Sequence, residues 1–491
     1  MSTKKYRSWT PDQSFLLPPS PRDWLPEGHL VYFLLDVVQE LDLGEIESVL
    51  QSKDSRGTAP YSPALMVGLL LYGYCVGIRS SRRIERATYE DVAFRVLAGG
   101  NHPDHTRISE FRRQHQGALR GLFLQVLLLC SKAGLVKLGQ VAIDGTKMQA
   151  NASKHKAMSH SRMVKLEDRL AREIEDLLEQ AEQADAEEDA RFGVGEKEHD
   201  LPEELRRRED RLARLREVKA ALEAEARQSR ASQLRQQSEQ ALQTAESTQD
   251  ETVSKRSRTR ARKLAQKARG LDGKDEDPPP SPGHLPGHKV RARPDGTPHP
   301  DAQRNFTDPE SRILKKGGDF LQGYNCQAAV DATAQVIVAA DLSNQCPDNA
   351  NFVPMLEQLR DNCQAVPEVV MADSGYWAPE VPENSQQLAA EIYIATERQR
   401  HGPTEPIADE SQPETQDARQ KMREKLRTPQ GRAIYARRKA IVEPVFGQIK
   451  EARGIRRFLL RGLEAARAEW QLICLSHNLL KLFQNTAAVP A

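Results

Sequence analysis

Residues 138–147 have the sequence LGQVAIDGTK, and this stretch decides the fold. The apolar residues 141–143 lead directly into Asp144 and Gly145. A short apolar run that is bounded by turn residues predicts a buried strand. We therefore expect a strand here with a carboxylate at its exit.

A second strand of the same kind lies further along the chain, where PEVVMADSGYW brings an apolar run to Asp373. Between these two stretches, LQGYNCQAAVDATAQVIVAADL alternates like two strands around a turn, and AAEIYIATE follows as a further strand. The strands thus fall into two pieces, 138–150 and 305–400, and neither piece has enough of them to bury a core. We predict one mixed sheet that is interrupted by an insertion.

The interruption is a charged segment, 160–271, whose leucines recur at three- and four-residue steps. This pattern predicts a helical hairpin or coiled coil of about two long arms. Its last part, KRSRTRARKLAQKAR at 255–269, contains no acid. Residues 272–300 are rich in proline and glycine and are predicted to be a linker.

The N-terminal part reads as an extended arm, 1–28, followed by a helical domain, 29–136. Short helices with outward arginines fit a helix-turn-helix DNA module, and they also fit a plain helical bundle. Arg107, Arg112 and Arg113 are candidates for phosphate contacts, although a solvated helix face would look the same. The domain that contains the predicted sheet would then comprise 137–159 and 301–486.

Composition excludes some classes of protein. The 491 residues suggest about three domains. A net charge of +1 excludes a uniformly basic DNA-coating protein. The apolar stretch 63–78 is too short to cross a bilayer, and the first residues do not resemble a signal peptide. The six cysteines form no CxxC pair, so we expect a reducing, cytoplasmic location and no zinc ribbon or disulfide framework.

Three acids stand out by their context: Asp144, Asp373 and Glu443, the last of which lies in the helical stretch IYARRKAIVEPVFGQIK. Each alone is more often a turn, cap or surface ion-pair residue. Together, without a histidine or cysteine cluster, they favour Mg²⁺ or Mn²⁺ over zinc. Two such ions about 4 Å apart can activate water and neutralise a scissile phosphate.

The surroundings of Glu443 are basic. Ten lysine or arginine residues and three acids lie between residues 431 and 467, in a chain that is almost neutral overall. A local excess of positive charge fits a polyanionic substrate.

The motifs IDGTKMQANAS, QGYNCQAAVD, MADSGYW and Y-x2-R-x4-E-x6-K together resemble the DDE (Asp-Asp-Glu) transposases of bacterial insertion sequences. The resemblance covers most of the chain except 160–300. It implies an α+β fold with an RNase H-like mixed sheet flanked by helices, an all-α N-terminal domain and the long charged helical insertion. It also implies that Asp144, Asp373 and Glu443 are catalytic and bind two Mg²⁺ or Mn²⁺ ions.

The resemblance further implies DNA contacts from Tyr435, Arg438 and Lys450 around the glutamate. The family usually has its arginine four residues before the glutamate, where this chain has Lys439, so the sequence leaves open which cation serves. Lys147, directly after the first acid and Thr146, is a further candidate for the DNA backbone, and a turn role is an equal alternative.

The function implied is that of a transposase, which binds the terminal inverted repeats of its element and cuts and joins DNA. Its partners would be double-stranded element ends and target DNA in the bacterial nucleoid, with no membrane. Cutting two ends together implies a homo-oligomer, for which 160–270 is a candidate pairing element. A non-catalytic DNA-binding or assembly protein and a simple nuclease of the same fold are the alternatives.

Overall fold

The computed structural model describes residues 21–51, 60–192, 203–274, 276, 284–378, 381, 390–397 and 413–486. Most of the predicted arm, 1–20, and part of the predicted linker, 277–283, lie outside these residues. The described end of the arm, Pro21–Trp24, forms one 3-10 turn.

Seven helices form the N-terminal part. Their apolar faces are buried against one another, as the leucine- and aromatic-rich stretches predict. The helices are α1 (Leu30–Glu40), α2 (Gly44–Gln51), α3 (Pro63–Cys75), α4 (Ser81–Glu90), α5 (Val92–Ala98), α6 (His105–Gln114) and α7 (Gln116–Lys132).

Six strands form the main sheet, and two short strands form a separate ribbon. The sheet contains β1 (Gln140–Gln149), β4 (Arg312–Lys316), β5 (Asp319–Asp331), β6 (Ile337–Ser343), β7 (Val369–Ala372) and β8 (Glu391–Ile394). The ribbon pairs β2 (Ala157–Ser159) with β3 (Gln303–Asn305).

The sheet is mixed, with β1 at its centre. The order is β4-β5-β1-β7-β8, and β6 also pairs with β5. β1 runs antiparallel to β5 and parallel to β7, and β7 runs parallel to β8. This is the RNase H-like arrangement within an α+β chain, as predicted.

Within the described residues, four further helices flank or cross the sheet: α11 (Phe352–Cys363), α12 (Pro413–Arg427), α13 (Pro429–Gly447) and α14 (Leu463–Thr486). Helix α14 is buried on nearly all sides, because it packs between β6 on one side and α3 and α7 on the other. The side chain of Asn478 joins α14 to β6. Its Oδ1 accepts from Ile337 N–H and its Nδ2 donates to Ile337 C=O, both at 2.8 Å. The N-terminal helices and the sheet therefore share one hydrophobic core.

The insertion between β2 and β3 is built from three helices, α8 (His160–Phe192), α9 (Glu203–Ser247) and α10 (Glu251–Asp272). The sequence predicts about two helical arms, and the additional helix begins after Asp250. Its carboxylate accepts from the N–H groups of Thr252 and Val253, so it caps a new helix directly after α9 ends. The insertion has small apolar clusters of its own.

Residues 284–300, the described end of the predicted linker, are packed first against the sheet and then, at Val290, against helices of the insertion. Leu285 N–H donates to Asp341 at 2.9 Å and His288 N–H donates to Asn344. Val290 is buried. A Pro/Gly-rich composition predicts loop structure, but it carries no information about such docking of the backbone.

In the described part of the chain, no helix combines the length and apolar character that a membrane span needs.

Candidate active site

Asp144 and Asp373 lie side by side at the centre of the sheet. Ile143 and Ala372 are paired where β1 and β7 run parallel. Asp144 directly follows Ile143, and Asp373 directly follows Ala372. Neighbouring strands are about 4.8 Å apart. The two carboxylates predicted from separate apolar runs are therefore brought to one place.

Arg438, on α13, reaches this pair from the helix layer. Its Nη1 donates to Asp144 Oδ2 at 3.0 Å, and the side chains of Arg438 and Asp144 are 9% and 18% exposed. The adjacent cation, Lys439, is exposed. The sequence left open whether Arg438 or Lys439 serves as the cation. Of the two, Arg438 is the one that contacts the acid.

Burial raises the pKa of Asp144 to about 6. Arg438 opposes this rise, whereas the negative charge of Asp373 adds to it. The raised pKa of Asp144 therefore reflects loss of solvent around the carboxylate, which Arg438 offsets only in part.

Asp373 has a second, structural role. Its Oδ1 accepts from Gly375 N–H at 2.8 Å and so caps the 3-10 turn Ser374–Tyr376. The cap interpretation weighed for an isolated aspartate is thus correct for this residue. The hydrogen bond from Gly375 occupies one oxygen of Asp373 and sets the direction of its carboxylate.

A further acid, Asp348, lies beside the pair and was not predicted. Its Oδ1 accepts from Asn325 Nδ2 at 2.7 Å and from Gln327 Nε2 at 2.8 Å, both on β5. Burial raises its pKa, and Asp373 is among the charges that act on it in the same direction. The available signal was the same one used for Asp144: an acid soon after a buried strand, here β6.

Gly145 is required by the crowding around these acids. A Cβ at this position would lie 2.6 Å from Gln327 Nε2 and 3.0 Å from Asp348 Oδ1. Tyr376, whose hydroxyl donates to Gln327 Oε1, closes the same side. β1 thus passes directly against the amide that holds Asp348. The strand continues to Gln149, so Asp144 lies within β1 and not at its exit as predicted; only the pairing with β7 ends at Ile143.

The other predicted contacts from α13 and β1 surround the pair. Tyr435 is half-buried, with its ring centroid 6.0 Å from Arg438 Cζ. Lys450 lies in a π-helical turn, Gln448–Ala452, and donates to Thr146 Oγ1 and, at 3.4 Å, to Lys147 C=O. Lys147 Nζ donates to Lys315 C=O at 2.8 Å.

Glu443 is not brought to the two aspartates. It lies five residues after Arg438 on α13, which places it about 140° around the helix axis from the arginine. Its side chain is exposed, and among the described residues no hydrogen bond or ion pair to it is found. Along α13, Tyr435 is thus half-buried beside Arg438, whereas Lys439 and Glu443 are exposed to solvent.

The three N-terminal arginines also differ in their exposure to solvent. Arg107 and Arg113 are exposed. Arg112 is buried, and its Nη1 donates to Tyr74 Oη and to Arg79 C=O. Its prediction as a phosphate contact is therefore wrong: Ile108, one turn earlier, marks the buried face of α6 on which it lies.

The described residues contain one group of three ligating side chains whose ligand atoms all lie within 4.8 Å of one another: Glu85, Asp104 and His105. It has a structural explanation. Asp104 caps α6, and Glu85 accepts from both the backbone N–H and the ring of His105. The acids at the sheet are thus more widely spread than a closed metal cage.

Comparison with known families gives two matches. Residues 19–114 match a transposase domain of the DUF772 family, and residues 289–479 match the transposase DDE domain. The second match includes Asp373 and Glu443, while Asp144 comes before it and joins it through the pairing of β1 with β5 and β7.

Searches among curated proteins and among solved structures returned no match. The two family matches nevertheless cover both the N-terminal helices and most of the sheet and its helices. With the paired aspartates of the RNase H-like sheet, they show that the chain belongs to the DDE transposases of insertion sequences.

Proposed function

We propose that this transposase binds the terminal inverted repeats of its element and catalyses metal-dependent cleavage and transfer of DNA strands into target DNA. One observation carries the proposal: Asp144 and Asp373 directly follow the paired residues Ile143 and Ala372 of adjacent parallel strands, and Arg438 is bonded to Asp144.

The residues present fit hard divalent cations. Asp144, Asp373 and the neighbouring Asp348 supply carboxylate oxygens, which Mg²⁺ and Mn²⁺ prefer. The raised pKa of Asp144 comes from burial and from an adjacent negative charge, and bound positive charge would relieve both effects. Asp144 and Asp373 would hold the ions, which supply an activated water and neutralise the scissile phosphate.

The surrounding side chains would position the reactants. Arg438 keeps the Asp144 carboxylate in one orientation. Lys450 and Lys147 bring positive charge to the β1 side of the acids, where a phosphate of the substrate strand would lie. Tyr435 and the exposed Lys439 extend this surface along α13.

Glu443 is proposed as the third acid on the basis of its motif, and its exposure allows it to meet DNA. The N-terminal helices, with the exposed Arg107 and Arg113, are proposed to bind the element ends. Because two ends must be cut together, we propose that the protein acts as an oligomer on DNA.

A plasmid excision assay tests the proposal. The coding segment with its native flanking DNA is supplied with wild type, Asp144→Asn, or the control Asp319→Asn, which changes an exposed acid at the far end of β5. We expect excision and joined product with wild type and the control, and neither product with Asp144→Asn.

Either of two other results would contradict the proposal and indicate a different function. Cleaved but never joined DNA would indicate a simple nuclease. Binding of the ends without cleavage in Mg²⁺ or Mn²⁺, by wild type and variant alike, would indicate a DNA-binding or assembly protein.

A further inference from the structure

Helix α10 of the insertion is an exposed cationic element that the proposed chemistry does not use. Its acids lie at its two ends, Glu251 and Asp272. The lysines and arginines between them are exposed to solvent. The protein as a whole is almost neutral, so this is a marked local excess of positive charge.

The packing of α10 leaves these cations on its free sides. Ala261 and Ala268 are buried against α9, and Ser238 on α9 donates to Ala261 C=O at 2.9 Å. The remaining circumference presents two rows of cations. One of them, which we call the basic row, consists of Arg256, Arg260, Lys263 and Lys267, which recur at helical spacing and line one shallow groove.

The basic row differs in its pairing from those cations of α9 that bind acids. On α9, Arg216 and Lys219 both bind Glu167, and Arg235 binds Asp272. Within the described residues, none of the four side chains of the basic row has an ion-pair or hydrogen-bond partner. Charges grouped in this way repel one another, so a polyanion that binds them gains free energy.

The chemistry of the helix favours a nucleic acid over a protein as the partner. α10 contains no aromatic residue, and its buried apolar residues are already used against α9. Protein interfaces are enriched in aromatic residues and depleted in lysine. The row extends over about 17 Å, long enough to meet several phosphates of a duplex.

We propose that the basic row of α10 is a DNA contact separate from the active site, and that it binds the phosphate backbone of duplex DNA without reading sequence. This inference rests on the proposed function, because it assumes that DNA is the substrate. It gives the insertion a role in holding DNA, whether or not the insertion also pairs subunits.

The test compares two full-length triple variants with wild type. Arg256→Gln, Lys263→Gln and Lys267→Gln remove three charges from the row. Lys132→Gln, Lys137→Gln and Arg360→Gln remove three exposed charges of the same types elsewhere. Circular dichroism and thermal melting establish that both variants are folded. The affinity for a labelled duplex of unrelated sequence is then measured over a range of KCl concentrations.

We expect the row variant to bind roughly tenfold or more weakly than wild type at low salt, with a salt slope shallower by about 3, while the control variant changes little. Equal losses in both variants, or in neither, would overturn the inference. So would loss of salt-sensitive self-association in the row variant without DNA, which would assign the row to a second copy of the chain.

A separate arm distinguishes this failure from failure of the proposed function. Asp144→Asn should bind the unrelated duplex like wild type but leave the element ends uncut. If wild type cuts and joins its element ends while the row variant binds like wild type, only the inference about α10 fails. If wild type neither binds nor cuts, both fail.

Discussion

Arg438 Nη1 donates a hydrogen bond of 3.0 Å to Oδ2 of Asp144, which lies 294 positions earlier in the chain. The bond joins α13 to the central strand and places a buried cation against an acid whose pKa burial raises to about 6. In the protein without metal, the arginine thus partly takes the place of the positive charge that the site is proposed to bind.

We expect Asp144→Asn to leave the metal-free protein at least as stable as wild type at pH 7. The pKa of Asp144 is higher in the folded protein than its ordinary value of 3.8, so its contribution to stability is full below that value and is lost as the pH rises through about 6. At pH 7 the ionised group is unfavourable, and asparagine removes its charge. Thermal melting in a chelating buffer measures this.

In the same experiment, Mn²⁺ should raise the melting temperature of wild type but not of the variant. A variant that melts well below wild type without metal would show that Asp144 stabilises the fold, contrary to this interpretation.

Arg438→Gln should move Mn²⁺ binding to higher pH, by about 1–3 units, because it removes the main influence that lowers the pKa of Asp144. Arg438→Lys should restore part of the difference, and Lys439→Gln, at the exposed neighbour, should leave the profile unchanged. Mn²⁺ affinity is measured at a series of pH values. Identical profiles for Arg438→Gln and wild type would mean that the arginine does not control the acid.

Gly145→Ala should destabilise the protein by about 1–3 kcal/mol and reduce excision, because the new Cβ would displace Gln327 and Asp348. Gly139→Ala is the matched control at the other end of the same stretch, where the nearest atom, Glu368 Oε2, is 4.0 Å from the added carbon. Chemical denaturation and the excision assay give the two quantities. Equal behaviour of the two variants would contradict the crowding described around Gly145.

Glu443→Gln should abolish excision with a change in stability within about 0.5 kcal/mol, because the side chain is exposed and the motif assigns it to catalysis. Asp348→Asn, which retains a group that can bond Asn325 and Gln327, provides the comparison. Excision by Glu443→Gln together with loss of excision by Asp348→Asn would assign the third acid to Asp348 instead.

Asp341→Asn should destabilise the protein by about 3–5 kcal/mol, because it leaves the buried Arg467 without its buried ionic partner and with only the exposed Glu464. Burial alone would raise the pKa of Asp341, but the hydrogen bond from His284 and the charge of Arg467 outweigh it, and the pKa lies below its usual range. A lowered pKa means that the contribution is present above the ordinary carboxyl range and is lost as the pH falls through the lowered value.

Denaturation at several pH values checks this, and wild type should lose more stability on acidification than the variant. Asp361→Asn is the control, since its pair with Arg360 is exposed and should contribute little. Similar small losses for both variants would show that the buried pair is not a net stabilising contact.

The sequence predicts local features of this protein well. The apolar runs before Asp144 and Asp373 identify β1 and β7, because a short buried strand has a recognisable composition. The register that places the two acids together is set by contacts between residues far apart in the chain. No local pattern contains that information.

Helix phase explains the main differences at the site. Arg438 and Glu443 are both part of the recognised motif, but their angular positions on α13 direct them to different surroundings. Arg112 shows the same limit, since an arginine next to Arg113 looks solvent-facing until Ile108 and Phe111 are seen to define a buried side of α6. The amides that hold Asp348 belong to β5, and only the folded sheet brings them to that loop.

The central position of β1 also has a consequence for synthesis of the protein. This strand is made before the insertion, whereas both of its neighbours in the sheet, β5 and β7, are made after it. A nascent chain folds from its N-terminal end, so Asp144 leaves the ribosome long before a partner strand exists. A product that ends before β7 therefore contains β1 without the parallel strand that brings the second acid beside Asp144.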